Sequence, residues 1–226
     1  MKKTVKRRNA FTLIELLVVI TIIGILASLA IPGVNLALDK ANQMKDVANA
    51  KQLGTILFTA ANDNNGVYPS TNTAGADIGT SSIAMFEGLV VDGYLTNASV
   101  LATNKCVPYR GAMDTTVALA DVGAVKHVGW DYVKGLDTTA DGRIPLLVTN
   151  GGFANFASMK SAGPATINVT NNLWGDKGAA FLFLGQNAEF VRARKAAGSA
   201  NIGKAGEPVV SASITEPAGT TLATAR

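Results

Sequence analysis

Few residues of this 226-residue sequence have the type and spacing needed for catalysis. The single cysteine, Cys106, and the single histidine, His127, are the one pair that could supply a nucleophile and its general base. No local signature of a cysteine enzyme surrounds them, and the sequence has no G-x-S-x-G elbow, H-E-x-x-H zinc helix, P-loop or G-x-G-x-x-G fingerprint. The sequence therefore predicts that the protein is not an enzyme.

A second candidate for chemistry is the acidic run Asp137-Thr-Thr-Ala-Asp141-Gly142. Calcium prefers several oxygen ligands on a flexible loop, and this run supplies two carboxylates. It lacks the D-x-D-x-D-G spacing of calcium loops, and an ordinary Asp-Gly turn explains the same residues. We expect no cofactor, with calcium at this loop as the alternative.

Glu15 is the most informative charged residue, because it is the only charge in the apolar run formed by residues 11–31. At about 1.5 Å per residue, a helix of that length is roughly 30 Å long and matches the hydrocarbon core of a bilayer. A carboxylate in such a helix costs up to ~3 kcal/mol at the bilayer centre. A partner that offsets this cost is therefore expected.

Basic residues are concentrated before the apolar run. Of the 20 Lys and Arg residues, five lie in the first ten positions, and 15 basic against 16 acidic residues remain from Phe11 onward. The positive-inside rule then predicts a single-pass protein with a cytoplasmic N-terminus and an exported body. No nucleic acid is expected as a partner, since the body has no net basic charge apart from a local patch at Arg192, Arg194 and Lys195.

Three hypotheses account for the apolar segment. A cleavable signal peptide would be cut at the small-x-small site Ser28-Leu29-Ala30, although the apolar stretch is longer than a signal h-region and contains a glutamate. A plain signal anchor is the second hypothesis. In the third, a cut between Ala10 and Phe11 creates an α-ammonium group four residues before Glu15, and the two charges pair between neighbouring subunits.

The basic leader, the small residue and the sequence Phe11-Thr12-Leu13-Ile14-Glu15-Leu16 closely resemble the class III signal of type IV pilins and type II secretion pseudopilins. In that family a prepilin peptidase cuts before the Phe and methylates its new amine, which implies processing at Ala10 and Phe11. The family's Pro, 22 residues into the mature chain, corresponds to Pro32. The family usually has Gly before the cut, so Ala10 is a departure, and we expect slower cleavage at worst.

The resemblance implies a structural subunit of a type II secretion pseudopilus or a type IV pilus-like filament, with Glu15 and Pro32 as assembly residues. The implied partners are prepilin peptidase, identical or related pilin subunits, an inner-membrane assembly platform and the membrane itself. The subunit would first sit in the inner membrane with its head in the periplasm, and later in a periplasmic or surface filament.

Two further features bear on the choice within this family. Major pseudopilins carry a calcium loop toward the C-terminus. The Asp137 run resembles it, which favours this run as a calcium site. Many type IVa pilins close a C-terminal loop with a disulfide, which one cysteine cannot form, and this favours a pseudopilin. The alternative from another class is a singly anchored periplasmic binding protein that does not polymerise.

The N-terminal helix is predicted to extend beyond the apolar run. Pro32 and Gly33 predict an interruption or a kink, because proline lacks the amide donor. An amphipathic stripe then follows, and the cluster Asn62-Asp63-Asn64-Asn65-Gly66 predicts its end. The apolar positions of the stripe are Met44, Val47, Ala50, Leu53, Leu57 and Ala60.

The rest of the chain predicts short elements. Ser82 is expected to cap a helix that ends at Val91. Strands are predicted at 128–133 and 144–148, and a hairpin at 179–191 turns at Gly185-Gln186-Asn187, where Gly185 is expected to supply a positive φ. Residues 209–214 form a candidate edge strand.

Together these features predict an α+β fold of the pilin-like lollipop type. Its long N-terminal transmembrane and stalk α-helix packs on a small antiparallel β-sheet head. The expected divisions are a prepilin leader at 1–10, a helix at 11–62 with a transmembrane part at 11–31 and an amphipathic stalk at 32–62, and a periplasmic head at 63–226. Within the head, residues 197–226 are expected to form an extended or mobile tail.

Overall fold

The computed structural model describes residues 11–71, 77–79, 81–103, 106, 127–161, 164–196, 199–202 and 208–225. The predicted leader, including Ala10, lies outside these residues. The chain divides into two compact units, one ending at Ala41 and the other covering Asn42–Arg226. The boundary falls inside the first helix, so its two halves belong to different units.

Helix α1 spans Leu13–Asp63, 51 residues, and ends one residue beyond the predicted end. Asn65 and Gly66 follow it with φ values of 54° and 82°. These left-handed conformations are what the Asn- and Gly-rich cluster predicts, since both residue types tolerate them. The carbonyl of Ala61 accepts the N–H of Gly66 at 2.8 Å and closes the last turn.

The predicted interruption at Pro32 is wrong, because α1 continues through it. A proline removes one amide donor, which leaves the carbonyl four residues earlier without its helical partner. The turns on both sides retain their own hydrogen bonds, and this local loss does not end the helix. A kink at this position stays a prediction.

A seven-stranded antiparallel sheet forms the centre of the second unit, in the order β4-β7-β6-β5-β2-β1-β9. A separate two-stranded parallel sheet pairs β3 with β8. The strands are β1 Trp130–Lys134, β2 Pro145–Thr149, β3 Lys160–Ser161, β4 Ala165–Ile167, β5 Gly178–Phe183, β6 Ala188–Ala196, β7 Ser199–Ile202, β8 Val210–Ser211 and β9 Thr221–Ala223.

The second half of α1 packs on one face of this sheet, which confirms the α+β fold with a long helix against an antiparallel sheet. Most of the predicted stripe is buried, but Met44 is 74% exposed and the prediction for it is wrong. Gly54 permits the closest approach, because a Cβ there would lie 2.8 Å from Gln186 Oε1 and 2.9 Å from Leu182 Cδ2. The buried stripe residues are Ala50, Leu53, Leu57 and Ala60.

The predicted hairpin is the β5–β6 pair, in which Phe181 faces Glu189 and Leu182 faces Ala188. Its turn differs from the expectation, since the positive φ belongs to Gln186, at 60°, and not to Gly185. Gly185 instead comes within van der Waals range of Gly142, and its N–H donates to the Gly142 carbonyl at 2.9 Å. A side chain at Gly185 would crowd this approach, which explains the glycine.

The sheet face opposite α1 carries aromatic side chains. Phe181 lies on this face, with its ring 6.0 Å from that of Phe153 and 5.9 Å from that of Phe183. Two 3₁₀ turns, Ala98–Leu101 and Phe156–Ser158, lie in the connections. Asn155 and Ser158 form a reciprocal capping box at the second turn.

Helix α2 spans Ser82–Val91 as predicted, but Ser82 does not cap it. Ser81 occupies the cap position, and its side chain makes no capping hydrogen bond. The hydroxyl of Ser82 is buried and donates to the carbonyl of Trp130 in β1 at 2.9 Å. Tertiary contact with the sheet has therefore replaced the local role that the sequence predicts.

The expected tail, residues 197–226, contains more regular structure than the sequence indicates. Residues 209–214 contribute only the two-residue strand β8. Strand β9 pairs with β1 at the edge of the main sheet, in register Tyr132 to Ala223. Its alternation is only three residues long, which is too short to be recognised as a strand from sequence.

A buried hydrogen bond connects α1 to the loop before β5. The indole Nε1 of Trp174 donates to Asp46 Oδ2 at 2.7 Å, and both residues are at least 98% buried. Trp174 also meets the ring of Phe190 edge-on, with centroids 5.0 Å apart. This contact links the helix, the loop and β6 through one side chain.

Replacing Trp174 by phenylalanine is expected to lower the free energy of unfolding by about 3 kcal/mol, because a hydrogen bond to a charged group is lost together with packing. Trp130→Phe is the matched control, since its buried indole donates to a neutral carbonyl, that of Val100, at 3.2 Å. The control is expected to lose about 1 kcal/mol less. Urea unfolding of the full chain in detergent, followed by circular dichroism, measures both; an equal or larger loss in the control would contradict the assignment.

Candidate membrane and assembly site

The first turn of α1 is closed by a reciprocal pair, Thr12 and Glu15. Glu15 Oε2 accepts hydrogen bonds from the Thr12 backbone N–H at 2.8 Å and from its hydroxyl at 2.7 Å. The backbone N–H of Glu15 donates to the Thr12 hydroxyl oxygen at 3.3 Å. This is a capping box, and it satisfies donors that would otherwise be unpaired at the helix start.

The capping box gives Glu15 a partner within its own chain, which the sequence analysis missed. The signal was present, because Thr-x-x-Glu directly before an apolar run is the pattern of such a cap. A carboxylate in the first helical turn is also favoured by the helix dipole. Both of these hydrogen bonds go to Oε2.

The helix that follows is apolar on all sides. By length and composition it contains a stretch able to cross a membrane, with mean hydropathy 2.7, and no residue of that stretch is buried. Its two hydroxyl groups are satisfied internally, since Thr21 donates to the Val18 carbonyl and Ser28 to the Ile25 carbonyl, each at 2.8 Å. Such a surface suits lipid or other apolar helices, because neither offers hydrogen-bond partners.

The structure describes two of the other predicted site residues, Phe11 and Pro32. Phe11 precedes the capping box and is 79% exposed, while Pro32 lies within the helix. Ala10, the other side of the expected cut, is outside the described residues. The structure thus places Phe11 and Glu15 at one end of the apolar surface and Pro32 twenty-one positions along it.

Both residues of the candidate catalytic pair, Cys106 and His127, are among the described residues. Cys106 is half-buried, and its Sγ lies 3.6 Å from the hydroxyl of Thr103. Within the described residues, no group of three or more His, Cys, Asp and Glu side chains converges. His127 is half-buried and has contacts of its own.

The candidate calcium loop holds its carboxylates through local hydrogen bonds. Asp137 Oδ1 accepts from the N–H and the hydroxyl of Thr139, at 2.8 and 2.6 Å. Asp141 accepts both Arg143 guanidinium bonds, Nε to Oδ1 at 3.0 Å and Nη2 to Oδ2 at 2.6 Å. A cation at Asp141 would have to displace this guanidinium, so the arrangement favours a turn over a metal site.

The Arg143 side chain and backbone N–H lower the pKa of Asp141 from 3.8 to about 2. Because the folded chain holds this proton more weakly than the unfolded chain, the carboxylate stabilises the fold above its unfolded pKa and loses that effect as the pH falls toward 2. The urea midpoint is therefore expected to drop between about pH 5 and about pH 2. In Arg143→Gln the drop should be smaller, and an identical drop would contradict this cause.

Comparison with known proteins gives one family match at the N-terminus and several partial relatives. The profile of the prokaryotic N-terminal methylation motif matches residues 5–31. The type II secretion system core protein G of Aeromonas hydrophila is 44% identical over 66 residues, which are 29% of this chain and 46% of that protein. The chain therefore spans about half the length of that relative.

Two fimbrial proteins extend the comparison. Fimbrial protein EcpC of Eikenella corrodens is 31% identical over 131 residues, which cover 58% of this chain and 85% of EcpC. The type IV major fimbrial protein FimA of Dichelobacter nodosus is 33% identical over 86 residues, or 38% of this chain and 54% of FimA. No solved structure matches the chain significantly.

Proposed function

Because the chain belongs to the family of type IV pilins and type II secretion pseudopilins, we propose that it is a structural subunit of a type II secretion pseudopilus or of a type IV pilus-like filament. The observation that supports this proposal most directly is the exposed apolar half of α1. This half begins at the Thr12–Glu15 capping box, which lies inside the matched methylation motif. A subunit with this surface needs either lipid or many neighbouring helices around it. A filament core supplies the second environment.

Processing is the first step of the proposal. Prepilin peptidase cuts between Ala10 and Phe11, removes the basic leader and methylates the new amine of Phe11. Before the cut, the leader keeps the N-terminus on the cytoplasmic side of the inner membrane, with the second compact unit in the periplasm. After it, an α-ammonium group stands beside the carboxylate of Glu15.

Assembly is the second step. The apolar helix leaves the membrane on an inner-membrane platform and packs against helices of identical or related subunits. Glu15 Oε1 pairs with the Phe11 amine of a neighbour, while Oε2 keeps its bonds to Thr12. The pair sets the axial offset between adjacent helices, because only one offset brings the two charges together in an apolar surrounding.

The single cysteine excludes the intramolecular disulfide loop of many type IVa pilins, and this favours a pseudopilus over a pilus. The family's members are structural proteins, and a structural role without catalysis is proposed here as well. No nucleic acid is proposed as a partner.

A singly anchored periplasmic binding protein is the competing function. One observation favours it: a cleft of about 520 Å³ opens on the sheet face opposite α1, with an apolar floor that includes Phe183, Val191 and Ile214 and with Glu189 at its side. Its volume lies within the range of small-molecule sites, about 300–1,000 Å³.

Overexpression in the native host separates the two functions. A filament subunit is expected to appear in material sheared from the cells and in long structures labelled by an antibody against the head. An anchored binding protein stays in the membrane fraction and gives no such structures. Absence of filaments at a level of expression where the head is intact would overturn the proposal.

A further inference from the structure

Strand β6 carries an exposed basic surface, formed by Arg192 and Arg194. Residues two apart on a strand share a face, so both lie on the side of Phe190, which contacts Trp174 next to α1. The side chains of both arginines are exposed. Among the described residues, Lys134–Asp77, Arg143–Asp141 and Lys160–Glu216 form ion pairs that do not involve either arginine.

The surroundings of this basic surface are polar. Arg194 lies opposite Asn201 of β7, whose Oδ1 accepts the hydroxyl of Thr166 of β4 at 3.2 Å. Near Arg192, Lys177 is exposed and Asp176 is half-buried. This part of the sheet therefore keeps a net positive charge.

An acidic corner lies at the ends of the two helices. Asp63 is the last residue of α1 and Asp92 is the C-cap of α2, and both are exposed. The hydroxyl of Tyr94 donates to Asp63 Oδ2 at 2.9 Å. The hydrogen bond to Asp63, followed by partial desolvation and the charges of Asp63 and Asp92, raises the pKa of Tyr94.

The two charged places lie at diagonally opposite positions of the head. The end of α1 adjoins the end of β1, since Thr138 N–H donates to the Gly66 carbonyl at 2.8 Å, and β1 is three strands, about 15 Å, from β6. Along α1, Asp63 is 17 residues beyond Asp46, which bonds Trp174 beside Phe190, a distance of about 25 Å. Strand β6 continues from Phe190 away from Asp63, so one copy cannot bring the two surfaces together.

We propose that the acidic corner of one copy, Asp63 and Asp92, binds the basic surface of another copy, Arg192 and Arg194. This contact rests on the proposed filament function. It joins two different surfaces, so it is heterologous and extends into an open array instead of closing a dimer. The copies are offset by about 25 Å or more along α1, and guanidinium groups form the planar paired bonds with carboxylates that fix such an offset.

Charge reversal with rescue tests the contact in the full chain in its host. Two double variants reverse one surface each: Arg192→Glu with Arg194→Glu, and Asp63→Lys with Asp92→Lys. Each is expected to lower the sheared filament yield about fivefold or more. The combined four-residue swap restores the attraction with opposite signs and is expected to recover most of the yield. Raising the ionic strength should weaken the wild-type filament, because exposed charges are screened.

Tyr94→Phe is the matched control, since it removes the hydrogen bond to Asp63 but keeps both carboxylates, and wild-type yield is expected. Protease resistance of the head checks folding, and Arg192→Gln with Arg194→Gln replaces a reversal that does not fold. Filaments at wild-type yield from both reversals, or no recovery in the combined swap, would overturn this contact alone. No filaments from the wild-type chain would instead overturn the proposed function.

Discussion

Replacing Glu15 by alanine is expected to lower the filament yield about 100-fold while the chain remains membrane-inserted and its head remains folded. The reason is the amine that the proposed processing creates at Phe11. In an apolar surrounding an uncompensated charge is far more costly than in water, so removal of Glu15 leaves the Phe11 ammonium without its partner. The measurement is the ratio of sheared to cell-associated subunit, quantified by immunoblot.

Two variants separate the intermolecular role of Glu15 from its role in the capping box. Thr12→Val removes the cap hydroxyl but keeps the carboxylate, and its yield is expected to fall about fivefold, in line with the loss of a helix cap. Glu15→Gln keeps the shape but not the charge and should resemble Glu15→Ala. If Glu15→Ala assembles as efficiently as the wild type, the pairing with Phe11 is wrong.

Replacing Asp131 by alanine is expected to lower the free energy of unfolding by about 4 kcal/mol. Asp131 lies in β1 with no exposed surface. Its Oδ1 accepts the N–H of Ala225, just after β9, and its Oδ2 accepts the N–H of Gly151, just after β2, each at 3.0 Å. Alanine would leave both buried donors without these acceptors.

Urea unfolding of the full chain in detergent measures this loss. Asp131→Asn keeps one acceptor oxygen and is expected to lose about half as much. Asp77→Ala is the surface control, because its carboxylate is 70% exposed and pairs with Lys134, and a much smaller loss than at Asp131 is expected. A loss at Asp131 no greater than that at Asp77 would show that the carboxylate does not hold the three adjacent strands.

The features that sequence predicts well are those set by local pattern. The apolar run, the buried stripe of α1 and the β5–β6 hairpin follow from periodicity and turn residues, and the structure agrees with them. Strands β1 and β2 lie within two residues of their predicted limits. Helix α2 likewise has the predicted limits, although Ser82 does not cap it.

The features that sequence misses depend on distant residues. Asp46 and Asp131 look like ordinary surface carboxylates, and only Trp174, Gly151 and Ala225 explain their burial. Strand β9 is defined by its neighbour β1 and not by its own three residues. In each case the partner lies 20 to 128 positions away in sequence, where periodicity carries no information.

The sequence predicts only part of the assembly site. Glu15 was identified because a charge in an apolar run needs a partner, and the structure supplies one partner, Thr12, within the same turn. The second partner, an amine on another copy, depends on processing and assembly. The isolated chain cannot contain it, so it stays a prediction.

The most direct test of the central claim is the intact mass and N-terminal sequence of the subunit recovered from sheared filaments. A chain that begins at N-methylated Phe11 is expected. A chain that begins at Ile31, or one that retains Met1, would contradict processing at Ala10 and Phe11, and with it the pairing of Glu15 that the assembly mechanism requires.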